Sequence, residues 1–384
     1  MNNPIVKTEK KQRNSNLELF RILSMFLIIA HHYVVNSGLL LPGGPMSTAP
    51  MAWRTLFLMV FGGWGKLGIN CFVLITGYFM CTSKITAKKF AKLLFEIMFY
   101  KIVIFGVFAA VGYTPFSVKG LVKAILPFTS LRQNFPGCFI MFYLLIPFIN
   151  VAIQSMTEKQ HLRLILLLIF TYVILGTAFG NNVVFNYITW FIVIYVVAAY
   201  IRLYPKAIFD KTKLWGILSV LALIGTAASI IVLHYLGIKM GKPFGDLFGY
   251  TLLVDSNRIV SFVTALCFFM FFKNVKIGYS KFINTAAASA FGVLLIHSGG
   301  DAMRKFVWVD LLKVTQMYDS SLLIVHALGC VVGIYAVCAV LDFLRIHLIE
   351  TPFFKLWDKV WPKVVTKWET VEEKICKKCN ISEK

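Results

Sequence analysis

Residues 17–38 read LELFRILSMFLIIAHHYVVNSG. The run is apolar enough to cross a bilayer, yet it carries Glu18, Arg21, His31 and His32. An Arg within a transmembrane helix costs about 2.5–3.5 kcal/mol on insertion scales, so its presence asks for a reason. Arg21 and His32 stand eleven positions apart. At ~100° per residue that is three turns plus ~20°, which puts both on one face, ~16 Å apart along the axis. His31 misses that direction by ~80°. One helix therefore offers a cation near one membrane surface and, in line with it, an imidazole deep toward the other.

The rest of the 384-residue chain fits the same medium. It is 58% hydrophobic with a mean hydropathy of +0.75, a composition that a polytopic membrane protein needs and a soluble core does not. Ten apolar runs are readable as spans, at 17–36, 56–80, 93–111, 137–153, 163–180, 183–203, 214–236, 258–272, 282–298 and 321–345. The expected fold is all-α, a bundle of about ten transmembrane helices over 17–345. A basic leader (1–16) precedes it and a basic tail (346–384) follows. The second run is interrupted at Gly62, Gly63, Trp64, Gly65 and Lys66, which predicts a short helix followed by a span from Leu67 to Met80. The first run is too long for a cleavable signal peptide and lacks a small-residue cleavage site after it.

A net charge of +22 could suggest nucleic acid, but the basic residues cluster in short loops between apolar runs, which excludes that partner. With the N-terminus inside, inner segments hold about 26 Lys/Arg and outer loops about 11. The expectation is a multi-pass protein of the cell (inner or plasma) membrane with both termini cytoplasmic. In the tail, Trp357, Trp361 and Trp368 alternate with lysines, as in an interfacial amphipathic helix that lies on anionic lipid and breaks before Pro362. The eight cysteines are scattered and imply no disulfide framework. Cys376 and Cys379 form a lone CxxC without a second pair or a nearby His, so no metal site is read there.

Four constellations could carry chemistry. Arg21 and His32 come first: either Arg21 snorkels to the inner interface and His32 bonds a neighbouring helix, or the imidazole is a general base and Arg21 holds an anionic donor. Lys88, Lys89 and Lys92 share one turn after the second span, as ordinary positive-inside anchors or as a clamp for a cofactor with several phosphates. His297 ends the ninth span, as a satisfied interfacial histidine or as a second outer-side site residue. Asp301, four positions on, would share its face if the helix continued past Gly299 and Gly300. Lys101, in mid-span near Glu96 and Tyr100, should have a carboxylate or carbonyl partner, and it keeps a transporter or flippase reading open. His234 and His326 read as structural, and His161 and His347 as inner-surface residues. There is no P-loop, GxGxxG, HExxH or GxSxG.

From about Asn16 to Phe354 the chain resembles the integral-membrane acyltransferase family 3, which contains O-acetyltransferases of bacterial surface polysaccharides. NLELFRILSMFLIIAHHY resembles that family's opening helix, its Arg and His falling on Arg21 and His32. GINCFVLITGYFM resembles a stretch usually ending Ser-Gly-Phe/Tyr, here Thr76, Gly77 and Tyr78. FGVLLIH resembles the late motif ending in His297, and IETPFFKLW the closing Glu-x-Pro at Glu350 and Pro352. The resemblance implies acyl-CoA, usually acetyl-CoA, as a cytoplasmic donor and a hydroxyl of a saccharide or lipid-linked glycan as acceptor. It also implies Arg21 and His32 as the essential pair. The family's Arg-x-x-Arg appears here as Lys89 and Lys92, which keeps charge and loses bidentate forks. Many relatives carry a fused hydrolase-like domain that this chain lacks, so the membrane core or a partner is expected to complete the transfer.

Overall fold

Apolar runs of this length can satisfy their backbone N–H and C=O groups in lipid only within the run or in a closed barrel. The computed structural model, which describes residues 14–126, 134–178, 186–362 and 365, takes the helical solution in all ten. The helices include α1 (Ser15–Val35), α2 (Trp53–Gly62), α3 (Gly65–Met80), α4 (Ala87–Ala110), α5 (Phe135–Gln154), α6 (Glu158–Ile169) and α7 (Tyr187–Leu203). They continue as α8 (Thr212–Lys239), α9 (Ile259–Asn274), α10 (Lys281–Ala288), α11 (Ala290–His297), α12 (Asp301–Lys305) and α13 (Leu323–Arg345). Seven stretches are long and apolar enough to cross a membrane, or eight if the bent pair Lys281–His297 and Asp301–Met317 counts as one. The shorter α7 and α9 complete the set, and no strand occurs among the described residues. The protein is a polytopic all-α membrane protein.

Polar residues in the connections start the helices. The Thr86 hydroxyl accepts from the Lys89 amide at the head of α4, and Thr157 and Gln160 close a reciprocal capping box at α6. The break between α2 and α3 is shorter than expected: the helix resumes at Gly65 rather than Leu67, so Lys66 joins its first turn. Glycine is required there by close approach, because a Cβ at Gly65 would collide with the ring of His31 on α1.

Helix α1 is the axis of packing, lying against α2, α3, α9, α10 and α11. Leu17, Phe20, Met25 and Ile29 are fully buried along it. Its first turn is pinned by polar bonds. Asn16 Nδ2 donates to the Phe272 and Lys273 carbonyls at 2.7 and 3.1 Å, satisfying the last turn of α9, and Ser15 Oγ accepts from the Ser280 amide. These bonds bring the first turn of α1, the end of α9 and the start of α10 to one face of the bundle, called proximal below. The short connections α3–α4 and α7–α8 lie on that face by alternation, with Lys84, Lys88, Lys89, Lys92, Lys206, Lys211 and Lys213.

Burial divides the helices. Of its apolar window, Trp53–Met80 buries 72% inside the protein, whereas α4 and α8 each bury 17%. Ile217, Val220, Leu221 and Ile224 form an exposed apolar surface on α8 that suits lipid and not water.

The ninth span is broken. The chain turns by 95° between Lys281–His297 and Asp301–Met317. Gly300 sits at φ +144°, a conformation that a side chain would strain. The further turn that would have put Asp301 on the face of His297 does not form; Asp301 pairs with Arg304 instead. Beyond the break, Tyr113 from the end of α4 donates to the Asp310 carboxylate at 2.5 Å.

By contacts the chain divides into two units, Met1–Cys338 and Ala339–Lys384. Within the second, buried Arg345 donates from Nε to Asp342 (2.8 Å) and from Nη1 to Glu350 (2.6 Å), across a π-helical turn at Ile346–Glu350. The tail does not break before Pro362: it is helical through that residue, with Trp357 and Trp361 stacked one turn apart at 4.5 Å. The basic leader up to Arg13, Trp368 and the Cys376/Cys379 pair lie outside the described residues.

Candidate active site

The C-terminal turns of α1 carry His31 and His32 to the distal face, opposite the proximal one. There the starts of α3, α5 and α7 and the end of α11 converge around a cavity of ≈ 580 Å³, a size typical of ligand pockets. Both imidazoles line it. His31, ~80° off the Arg21 direction, still reaches the space because its ring turns back onto α2.

Hydrogen bonds assign the tautomers. His297, fully buried behind His32, has Nδ1 2.6 Å from the Val293 carbonyl. A carbonyl only accepts, so Nδ1 carries the hydrogen, and the neutral ring has a bare Nε2. That nitrogen lies 2.9 Å from His32 Nδ1, which must therefore donate. His32 is left with its Nε2 lone pair on a ring that faces the cavity, the arrangement a general base requires. The Gly62 carbonyl likewise takes the His31 Nδ1–H at 2.6 Å and leaves that ring's Nε2 bare. Behind the pair, Trp308 stands edge-on to both His297 and Tyr33, and the Tyr33 hydroxyl and His326 Nδ1 are 2.9 Å apart. His297 thus holds the His32 ring in one tautomer.

A graded outcome follows. His297→Ala should lower the rate by about tenfold or more and shift the pH profile of the rate, because His32 loses the partner that selects its tautomer. His297→Gln, whose side-chain carbonyl can accept from His32 Nδ1, should recover much of both. Equal rates and an unmoved pH profile in the two variants would remove the positioning role.

Three cations line the same cavity: Lys66, Lys101 and Arg304. Lys66 donates to the Tyr187 hydroxyl at 2.8 Å and lies 5.4 Å from that ring's centroid. Arg304 pairs with Asp301 and also lines a second, more open cavity of ≈ 510 Å³ that shares Val35 and Asn36 with the first. Lys101 is half-buried. The carboxylate or carbonyl partner expected for it is absent among the described residues, where no carboxylate lines the cavity. In the sequence Lys66 stands out only as part of the interruption of the second run, and Arg304 does not stand out; their positions beside glycine breaks are the one local signal that they turn inward.

The other predicted residues lie elsewhere. Arg21 donates to Glu18 at 2.8 Å, sits 5.9 Å from the Phe72 ring centroid, and is not part of the cavity wall. Lys88, Lys89 and Lys92 occupy the first turns of α4, where Lys89 Nζ donates to the Lys84 carbonyl at 2.8 Å. Arg21 and these lysines belong to the proximal end, one helix length from the imidazoles. His234 is bonded to the Pro50 carbonyl. His161, expected at the surface, is instead fully buried, with Nε2 2.9 Å from the Val196 carbonyl and its ring against Tyr200 and Tyr204. Its partners come from α7, so spacing within its own helix could not reveal them. His347 is exposed and bonded within its own helix. Among the described residues no group of three or more His, Cys, Asp or Glu could hold a metal ion.

A family model described as an acyltransferase domain matches residues 14–343. No curated protein and no solved structure matches the chain.

Proposed function

The chain belongs to acyltransferase family 3 and is a membrane acyltransferase; from that premise we propose that it moves an acetyl or other acyl group from acyl-CoA to a hydroxyl of a saccharide or lipid-linked glycan. The observation that carries the reading is the cavity-facing imidazole of His32, its tautomer set by His297. The acceptor hydroxyl attacks the thioester carbonyl while His32 Nε2 takes its proton. The C–S bond then breaks, and the proton passes to the departing CoA thiolate. His297 accepts from His32 Nδ1 throughout, so the imidazolium that forms keeps its orientation.

The donor enters from the proximal end, which is cytoplasmic in this reading because the loop lysines cluster there. Lys88, Lys89 and Lys92 attract its phosphates, and Arg21 steadies an anionic part of it. The pantetheine arm then lies along the α1 face between Arg21 and His32, a distance of ~16 Å on helix geometry. The protein resides in the cell membrane with its distal cavity toward the envelope. Lys101, which keeps a transporter reading open in the sequence, and the broken ninth span serve here to form the acceptor cavity.

The test is transfer of label from acetyl-CoA by membranes that contain the chain. Label is expected in the glycan or lipid-linked glycan fraction, with free CoA released in equal amount. Absence of chain-dependent label in every glycan fraction, with acetyl-CoA left intact, would overturn the proposal.

A further inference from the structure

The cavity holds more positive charge than acyl transfer to a neutral sugar needs. Lys66, Lys101 and Arg304 come from three different segments (α3, α4 and the stretch after the helix break) and reach one space. Lys66 has a phenol as its hydrogen-bond partner, not a carboxylate. Arg304 shares one carboxylate, Asp301, at the boundary between the two cavities. Lys101 projects from mid-helix into a cavity that no carboxylate lines among the described residues. A membrane-embedded cation costs several kcal/mol unless something compensates it. Within a cleft, charges of one sign also focus the field on whatever enters. The missing counter-charge is one that a ligand would bring.

We propose that Lys66, Lys101 and Arg304 bind an anionic group, phosphate or carboxylate, on the saccharide acceptor, so that the enzyme selects acidic glycans over neutral ones. The inference rests on the reading that the acceptor enters this cavity. The cations lie on the side of the bundle away from Arg21, Lys88, Lys89 and Lys92, so the donor's phosphates have their own basic cluster. The anionic group docks against the Lys and Arg side chains while a hydroxyl of the same glycan reaches His32 Nε2. The second cavity, which shares Val35, Asn36 and Arg304 with the first, leaves room for further sugar units. Charge-assisted contacts of this kind also discriminate, since a neutral sugar would leave the cations without partners.

The experiment uses the full chain in detergent, without acyl-CoA, and follows its melting temperature as glucose 1-phosphate, glucuronate or glucose is added. The two acidic probes should raise it saturably, as mass action requires, and glucose should not. Lys66→Gln, Lys101→Gln and Arg304→Gln should each raise the half-saturating concentration about tenfold or more, and Lys101→Arg should restore it. Equal stabilisation by glucose would overturn the proposal, as would an acidic-probe shift that survives the triple Gln substitution. If saturating CoA abolishes the glucose 1-phosphate shift, the cavity takes the donor's phosphates and the proposal also falls. In the unsubstituted chain, glucose 1-phosphate but not glucose should slow reductive methylation of Lys66 and Lys101; equal rates would count against the site whatever the variants do. Because none of these readouts uses acyl transfer, failure of the acidic-acceptor proposal is distinguishable from failure of the acyltransfer reading.

Discussion

Membranes carrying His32→Ala are expected to transfer acyl groups from acyl-CoA about 10²–10⁴-fold more slowly than the unsubstituted chain, at equal protein level. That range is what a positioned general base contributes. The α1 backbone should be untouched, because position 32 lies in a helix turn whose neighbours Tyr33 and Val34 are fully buried and hold the register. His31→Ala is the control, since His31 shares the cavity and also presents a bare Nε2. A small effect there and a large one at His32 supports the assignment. The reverse pattern would move the proton transfer to His31, and full transfer in both variants would remove base catalysis by this helix altogether.

The largest expected effect on stability lies in the second unit. The Arg345 side chain is 3% exposed, between Asp342 at 0% and Glu350 at 10%. Arg345→Met removes the guanidinium to which both buried carboxylates are bonded. Breaking a buried pair in this way typically costs about 3–5 kcal/mol. The variant should melt at much lower temperature in detergent and accumulate poorly. Adding Asp342→Asn and Glu350→Gln to Arg345→Met should recover much of the loss, because the residual charges are then gone. A single variant as stable as the parent would show that the triad holds nothing in place.

How much of this was readable beforehand depends on how local each signal is. The ten runs were legible because hydropathy over a span is a direct reading of what lipid requires, and the α2–α3 interruption was legible from its glycines. The shared face of Arg21 and His32 follows from an unbroken α1. Surroundings brought by other helices were not legible. Lys101 was given a partner by rule, whereas it lines a cavity whose other cations, Lys66 and Arg304, come from segments far away in the chain. His31 was set aside on azimuth, but a ring that turns onto the Gly62 carbonyl escapes an argument made from Cβ directions. His161 was assigned to the surface because the carbonyl it meets belongs to α7, thirty-five residues away. The His32–His297 bond spans 265 positions, and nothing in either motif announces that the two rings meet.

The right-angled turn at Ser298–Gly300 also bears on how the protein is made. The stretch after it opens with Asp301, Arg304 and Lys305, charges that a nascent segment does not readily leave in hydrocarbon on its own. Its footholds, the Tyr113 hydroxyl bonded to Asp310 and the same ring within 5.9 Å of the Lys305 ammonium, belong to a hairpin synthesised far earlier. Docking of the elbow therefore draws on a residue 197 positions upstream, which is already synthesised when the elbow emerges.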